Sequence, residues 1–349
     1  MAIPALLHEL LTAVGPSGAE EPAARVWRQG ASSFAEVHGD TLGTSFARVG
    51  PATGPTLAVV GHIDEIGIAI THIDGDGLLS FSTLGGFDAD VLAGQRITIA
   101  GRGGPVEGVV GVRRRSRSER AERSGMRRED LHLDIGASSA EDAGTRVAAG
   151  DVGVWHGHPL ELPNGRIASR ALDNRLGAYA ALEAARRIAE AGESKVSVVA
   201  VASVQEEIGH DGASTAAFAL EPDVALVLDV TWATDVPGES ARRAGKVELG
   251  SGAAIVRGPV ANRVVSDLLV QAAEEDAIPH TIEVYSGPTH TDADDVHRSR
   301  GGVPTGIVSI PIRYMHTPCE LAVLDDLEAV IALVVAFASR LTSDTSFLR

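Results

Sequence analysis

The chain has 349 residues, 44% of them hydrophobic but only 4% aromatic, and a formal net charge of −17. That length exceeds one small core and accommodates one large domain or two, packed mainly through aliphatic side chains, alanine and glycine. The acidic balance excludes nucleic acid as a partner, since such binders need a basic face to displace counterions; a single cysteine, Cys319, excludes an internal disulfide and any multi-cysteine metal site.

The N-terminal stretch has acids and a histidine but no basic leader and no small-residue cleavage site, so it reads as an amphipathic helix and not as a secretory signal. No apolar run is long enough for a membrane span. A soluble, cytoplasmic protein is expected. Leu6, Leu7, Leu10, Leu11 and Val14 recur at helical spacing, and Gly15-Pro16-Ser17-Gly18 ends that helix. Ser17 with Glu20 and Glu21 reads as a capping box opening a second helix to about Arg28. A short hairpin over residues 36–46 follows. The apolar run Thr56–Val60 then predicts a buried strand that delivers Gly61-His62-Ile63-Asp64-Glu65 at its end.

From residue 67 to residue 162 the pattern changes to short alternating segments between glycine-rich turns, which predicts a small β-barrel or sandwich inserted into the main domain, the barrel being preferred. This leaves residues 1–66 and 163–349 to form the main domain. After Ser169, strands and helices alternate, implying a mostly parallel mixed sheet flanked by helices, an α/β architecture. Helices are expected over about 173–191, 262–277 and 324–341, and strands over 196–204, 224–229, 281–285 and 306–310. Inside the insertion, Arg113 to Arg128 holds eight arginines with acids between them and no aromatic residue, the composition of a solvated loop more than of an anion-binding patch.

The chemistry is concentrated outside the insertion. His62 with Asp64, Asp173, Glu206 with Glu207, Asp229, and His316 each stand at or just past the end of a strand, or at the opening of a helix. In an open α/β sheet such positions converge at the C-terminal strand edges. Singly, each has a plain structural use: a strand-end histidine, a turn cap, a helix N-cap, an Asx turn, a surface loop. Jointly, five such places along one sheet edge point to a shared site. Imidazole and carboxylate without thiolate suit zinc, cobalt or manganese. The adjacent pair Glu206-Glu207 can divide its work, one carboxylate holding a cation and the other handling a proton; in an extended strand, alternation would aim the two apart. The remaining histidines, His210 among them, have no comparable company, and His290 is the least settled.

Three stretches, Gly61-His62-Ile63-Asp64-Glu65-Ile66-Gly67, Arg170-Ala171-Leu172-Asp173-Asn174-Arg175 and Val204-Gln205-Glu206-Glu207-Ile208-Gly209, resemble signatures of the tetrahedral (TET) aminopeptidases. Asp229–Asp235, Ser309–Pro318 and, within the insertion, Leu131–Ser138 are similar to further segments of that family, so the resemblance covers nearly the whole chain in order. It departs in the Arg113–Arg128 run and at His290, where a glycine is expected. The resemblance implies a zinc-peptidase-like fold and an aminopeptidase using two divalent metal ions per subunit, zinc or cobalt ahead of manganese. Asp173 would bridge the ions, His62 and Asp229 would complete one site, and Glu207 and His316 the other. Glu206 would be the general base, with Asp64 orienting His62. Substrates would be peptides with a free N-terminus, and the insertion would mediate dimers that assemble into a homododecamer. The same apparatus also serves carboxypeptidases and amino-acid deacylases; an endoglucanase or a non-catalytic scaffold fits less of the residue set.

Overall fold

The computed structural model describes residues 2–114, 116, 125–242 and 244–348. Arg115 and residues 117–124, the middle of the arginine run, lie outside the described residues. Helices α1 (Ala5–Thr12) and α2 (Glu21–Ala31) lead into strands β1 (Glu36–Gly39), β2 (Ser45–Val49) and β3 (Thr56–His62). Next come β4 (Gly67–Ile73), β5 (Leu79–Leu84), β6 (Arg96–Gly101), β7 (Gly104–Val112), β8 (Leu131–Asp134), the short helix α3 (Ala140–Gly144) and β9 (Val152–Trp155). These six strands close into a barrel, β4-β5-β8-β7-β6-β9, and every ladder in it is antiparallel. Its own core contains Ile68, Leu79, Ile97 and Leu133.

The chain returns through β10 (Leu160–Leu162) and β11 (Arg166–Ser169) to the long helix α4 (Leu172–Ala191), then β12 (Ser197–Ser203), α5 (Glu206–Gly209), α6 (Asp211–Leu220) and β13 (Val224–Trp232). It ends with β14 (Ala253–Arg257), α7 (Arg263–Glu275), β15 (His280–Val284), α8 (Ala293–Val296), β16 (Thr305–Arg313), β17 (Glu320–Val323) and α9 (Leu324–Arg340). The large sheet runs β1-β2-β12-β3-β13-β16-β17-β11-β10, with β14 joining β16 to β15. Its centre, β12-β3-β13-β16, is parallel, and antiparallel strands flank it. Helices cover both faces, which is why β12 reads Ser-Val-Val-Ala-Val-Ala-Ser and is buried at every position. Among the described residues no helix is long and apolar enough to cross a membrane.

Helix α4 lies across β3, β12 and β13, and small residues let it come close. A Cβ on Gly61 in β3 would meet the Gly177 backbone, and one on Gly177 would meet the Leu228 carbonyl. Alanines 178, 181, 184 and 185 complete that interface.

Three local expectations are corrected. Ser17 does not cap α2; its hydroxyl donates to Asp64 Oδ2 at 2.7 Å, and the helix starts at Glu21 with a proline in its first turn. Strand β13 does not stop at Asp229 but runs to Trp232, because β16 remains paired with it through Ile312. Strands β14 and β17 and helix α6 are additional elements. The expected strand at 281–285 and helix at 262–277 are present within one or two residues.

Candidate metal centre

His62 ends β3 with 1% of its surface exposed. Its Nε2 is 3.1 Å from Asp173 Oδ1, 3.6 Å from Glu206 Oε2 and 3.8 Å from Asp229 Oδ1. Its Nδ1 lies 3.3 Å from Asp64 Oδ1. The other oxygen of Asp173, Oδ2, is 3.4 Å from His316 Nε2, which is in turn 3.6 Å from Glu207 Oε2. Asp173 therefore stands between the two imidazoles with one oxygen toward each, Asp229 on the His62 side and Glu207 on the His316 side. Glu320, buried at the start of β17, accepts from the Asp173 and His316 amides at 3.0 Å, one with each oxygen, and so fixes the two loops relative to each other.

The two glutamates are separated by a different cause than strand alternation. β12 ends at Ser203, Gln205 takes φ +61°, and α5 begins at Glu206. Neighbours on a helical turn are about 100° apart. Glu206 thus faces His62 and His210, whose Nε2 is 3.5 Å from Glu206 Oε1, while Glu207 faces His316. The turn is held through its backbone. Asp64 accepts from the Glu206 amide at 3.1 Å and the Glu207 amide at 3.2 Å, and Glu20 accepts from the Gln205 amide at 3.2 Å. Asp64 therefore holds the turn that carries both glutamates and lies beside the His62 ring. Burial, first of all, pushes the Glu20 carboxyl up to about 7.

All seven residues singled out in the sequence meet here. Sequence reasoning missed three others. His210 sits beside Glu206 with its Nδ1 3.2 Å from Asp295 Oδ2, and only its i+4 position relative to Glu206 hints at this. Asp292 is buried, accepts from Ser203 Oγ at 2.5 Å, and leaves Oδ1 without a hydrogen-bond partner among the described residues. Glu320 carries no signal in sequence. His290, with φ +56°, is exposed on the cleft wall.

The charges at the centre do not balance without a cation. Burial raises the Glu206, Glu207 and Glu320 carboxyls well above the ordinary range, Asp229 to about 8 and Asp292 to about 6. Burial opposes protonation of His62, but the Glu206 charge and the bonds to Asp173 and Asp64 outweigh it and raise the imidazole. His316 is raised in the same way by Asp173. For Asp173, burial is outweighed by its bonds to His316 and His62, which lower its carboxyl. Two imidazoles cannot neutralise this many buried carboxylates, and Glu207 Oε1 has no hydrogen-bond partner among the described residues. Ligand atoms of His62, Asp173 and Glu207, and of His62, Glu206 and Asp229, each fall within 4.8 Å of one another. Hard oxygen and imidazole donors in this arrangement fit divalent cations. They line a cleft of about 680 Å³ that continues past Thr231 and Trp232 to Glu239, Glu283 and Tyr285.

Comparison with known proteins agrees with this chemistry. The sequence matches the family described as M42 glutamyl aminopeptidase over residues 43–333. A lysyl aminopeptidase of Pyrococcus furiosus is 37% identical over 313 residues, covering 88% of this chain and 87% of that one. The crystal structure of a TET aminopeptidase from the marine sediment archaeon Thaumarchaeota archaeon SCGC AB-539-E09 superposes with a TM-score of 0.92 at 34% identity, covering 97% of this chain and 96% of that one. A Pyrococcus horikoshii TET1 peptidase, which can assemble into a tetrahedron or a large octahedral shell, gives a TM-score of 0.85 at 30% identity over 96% of this chain and 99% of that one. The chain belongs to the M42 glutamyl aminopeptidase family, and it is a metal-dependent aminopeptidase, a hydrolase of peptide bonds.

Proposed function

We propose that the chain removes N-terminal residues from peptides with a two-metal centre. His62 and Asp229 would hold one ion and His316 and Glu207 the other, with Asp173 shared between them. Zinc or cobalt suits the donor set best, and manganese is acceptable to it. The observation that carries this reading is the placement of Asp173, each of whose oxygens faces a different imidazole. Bound divalent ions supply polarisation of the scissile carbonyl and a lowered pKa for the attacking water. Glu206, left over from the two ligand groups and facing the cleft, takes the proton from that water and delivers it to the leaving nitrogen. Its burial raises the carboxyl above the ordinary glutamate range, which favours a group that accepts a proton. Asp64, whose Oδ1 lies 3.3 Å from His62 Nδ1, would orient that ring and leave Nε2 free to ligate.

Glu206→Gln is expected to keep its metal content by plasma emission analysis while losing nearly all turnover of amino-acyl p-nitroanilides. Asp173→Ala is expected to lose both ions. A fully loaded Asp173→Ala protein, or a Glu206→Gln protein of near wild-type rate, rejects the assignment. Blocking the peptide N-terminus should abolish cleavage, which separates this activity from a carboxypeptidase or deacylase.

Residues 67–162 would form an inserted domain through which subunits pair, with 1–66 and 163–349 as the catalytic domain. The shells formed by the TET1 peptidase support a homo-oligomer, in which dimers would assemble into a homododecamer. The unpaired thiol of Cys319 suits the reducing cytoplasm.

A further inference from the structure

One buried acid of the cleft has no part in that mechanism. Glu283, on β15, lines the cleft and is only 3% exposed. Its Oε1 accepts from the Thr231 hydroxyl at 2.6 Å, and its Oε2 has no hydrogen-bond partner among the described residues. Burial lifts its carboxyl above the ordinary range, against the bonds from Thr231 and Tyr285. A buried carboxylate oxygen left in this state is a vacant acceptor for a cationic or donor group.

Its location fits the far end of a substrate side chain. Thr231 is two residues beyond Asp229 on β13, so both side chains leave the same face of the strand, roughly 7 Å apart along it. Glu283 is thus tied to the cleft one strand repeat away from the metal-binding residues, about the reach of an extended lysyl side chain. Trp232, half exposed, and Tyr285 line the intervening cleft and offer apolar surface to a methylene stem. Glu239 adds a second acid, and no lysine or arginine is among the described residues that line the cleft. An acidic N-terminal side chain would meet Glu239 and Glu283 there, with no lysine or arginine opposite it among the described residues.

We propose that Glu283 makes this cleft select peptides whose N-terminal residue is lysine or arginine, its carboxylate receiving the cationic end of that side chain. The assignment rests on the aminopeptidase reading above. It names a specificity residue, since Glu283 touches the substrate side chain and not the reacting atoms.

The test uses the metal-loaded protein and three p-nitroanilides: lysine, norleucine (the same stem without the charge) and glutamate. Wild-type kcat/KM for lysine is expected to exceed that for norleucine by at least about tenfold, with glutamate lowest. Glu283→Gln is expected to bring the lysine-to-norleucine ratio close to one through lysine alone, leaving norleucine within about threefold of wild type. A wild-type protein that prefers norleucine overturns the proposal while the aminopeptidase reading stands. Equal losses on both substrates in a folded Glu283→Gln protein also overturn it, because they assign Glu283 to the α-amine or to the framework. Should that variant fail to fold, the wild-type ratio decides alone. No turnover of any of the three overturns both readings.

Discussion

Glu65, next to Asp64, is the centre of a buried ionic cluster on which the site rests. It is 1% exposed and accepts from Gly15 N at 3.2 Å, from Arg175 Nη2 at 2.8 Å and from Arg170 Nη1. Both arginines also donate to main-chain carbonyls of the α1 end: Arg170 to Thr12 and Ala13, Arg175 to Leu10 and Ala13. Arg175 Nε further donates to Ile63 O at 3.1 Å, between His62 and Asp64. Burial alone would lower the Arg175 guanidinium, the Glu65 charge opposes that, and the balance leaves it at about 10. Glu65→Ala removes the carboxylate that bonds both guanidiniums, which are 5% exposed or less. Stranding buried charge in this way costs about 3–5 kcal/mol. In a chain of this size that corresponds to roughly 4–7 °C in melting temperature. The assay is calorimetry with urea titration of wild type and variant at matched metal content. Adding Arg170→Met to the variant should recover part of the loss, since it removes one of the stranded charges. A loss below about 1 kcal/mol refutes the reasoning and means the main-chain carbonyls neutralise the arginines unaided.

Three further outcomes are expected. In metal-stripped protein, the raised carboxyl of Asp229 favours the native state only while protonated, so its contribution is present in acid and lost as pH rises through about 8; the raised imidazoles of His62 and His316 act in the same direction. At about 1.4 kcal/mol per pH unit for each proton, Asp229 alone should lower stability in EDTA by roughly 2–3 kcal/mol between pH 6 and pH 8, the imidazoles add to that fall, and a rise would contradict the assignment. Metal binding, which needs these groups deprotonated, should flatten that slope. His210→Ala should lower kcat about tenfold with KM within threefold, measured on a good anilide, because of its two partners, Glu206 and Asp295, it is Glu206 that faces the centre; unchanged kcat removes His210 from the site. Gly61→Ala drives a methyl into the Gly177 backbone and should cost several kcal/mol by urea unfolding, with wild-type stability as the contrary result.

The main residues of the site were legible because they sit near strand ends or at the opening of a helix, and a parallel sheet collects those places along one edge. His62, Asp173, Glu207, Asp229 and His316 belong to different segments, yet the order of elements alone was enough to predict their meeting. Features settled by tertiary contacts were not legible. Ser17 has the sequence context of a helix cap, but Asp64, distant in the chain, is the better acceptor for its hydroxyl. The separation of Glu206 from Glu207 was foreseen with the wrong cause, since the turn at Gln205 places the pair on a helix. Glu320 and Asp292 act from buried positions that no periodicity marks. Strand β13 outruns its expected end because β16 continues to pair with it, and that extension carries Thr231 and Trp232 into the cleft.

The contact between Gly61 and Gly177 has a consequence for how this scaffold can vary. His62 leaves the end of β3 and Asp173 the start of α4, and these two elements touch backbone to backbone with no side chain between them. The spacing of these two residues is therefore a property of the main chain, like the gap of a fixed caliper. Substitutions elsewhere in the core can soften or stiffen the protein but have no shim to insert at this joint. Freedom to change what the enzyme accepts lies on the opposite wall, where β13 and β15 present side chains, and not backbone, to the cleft.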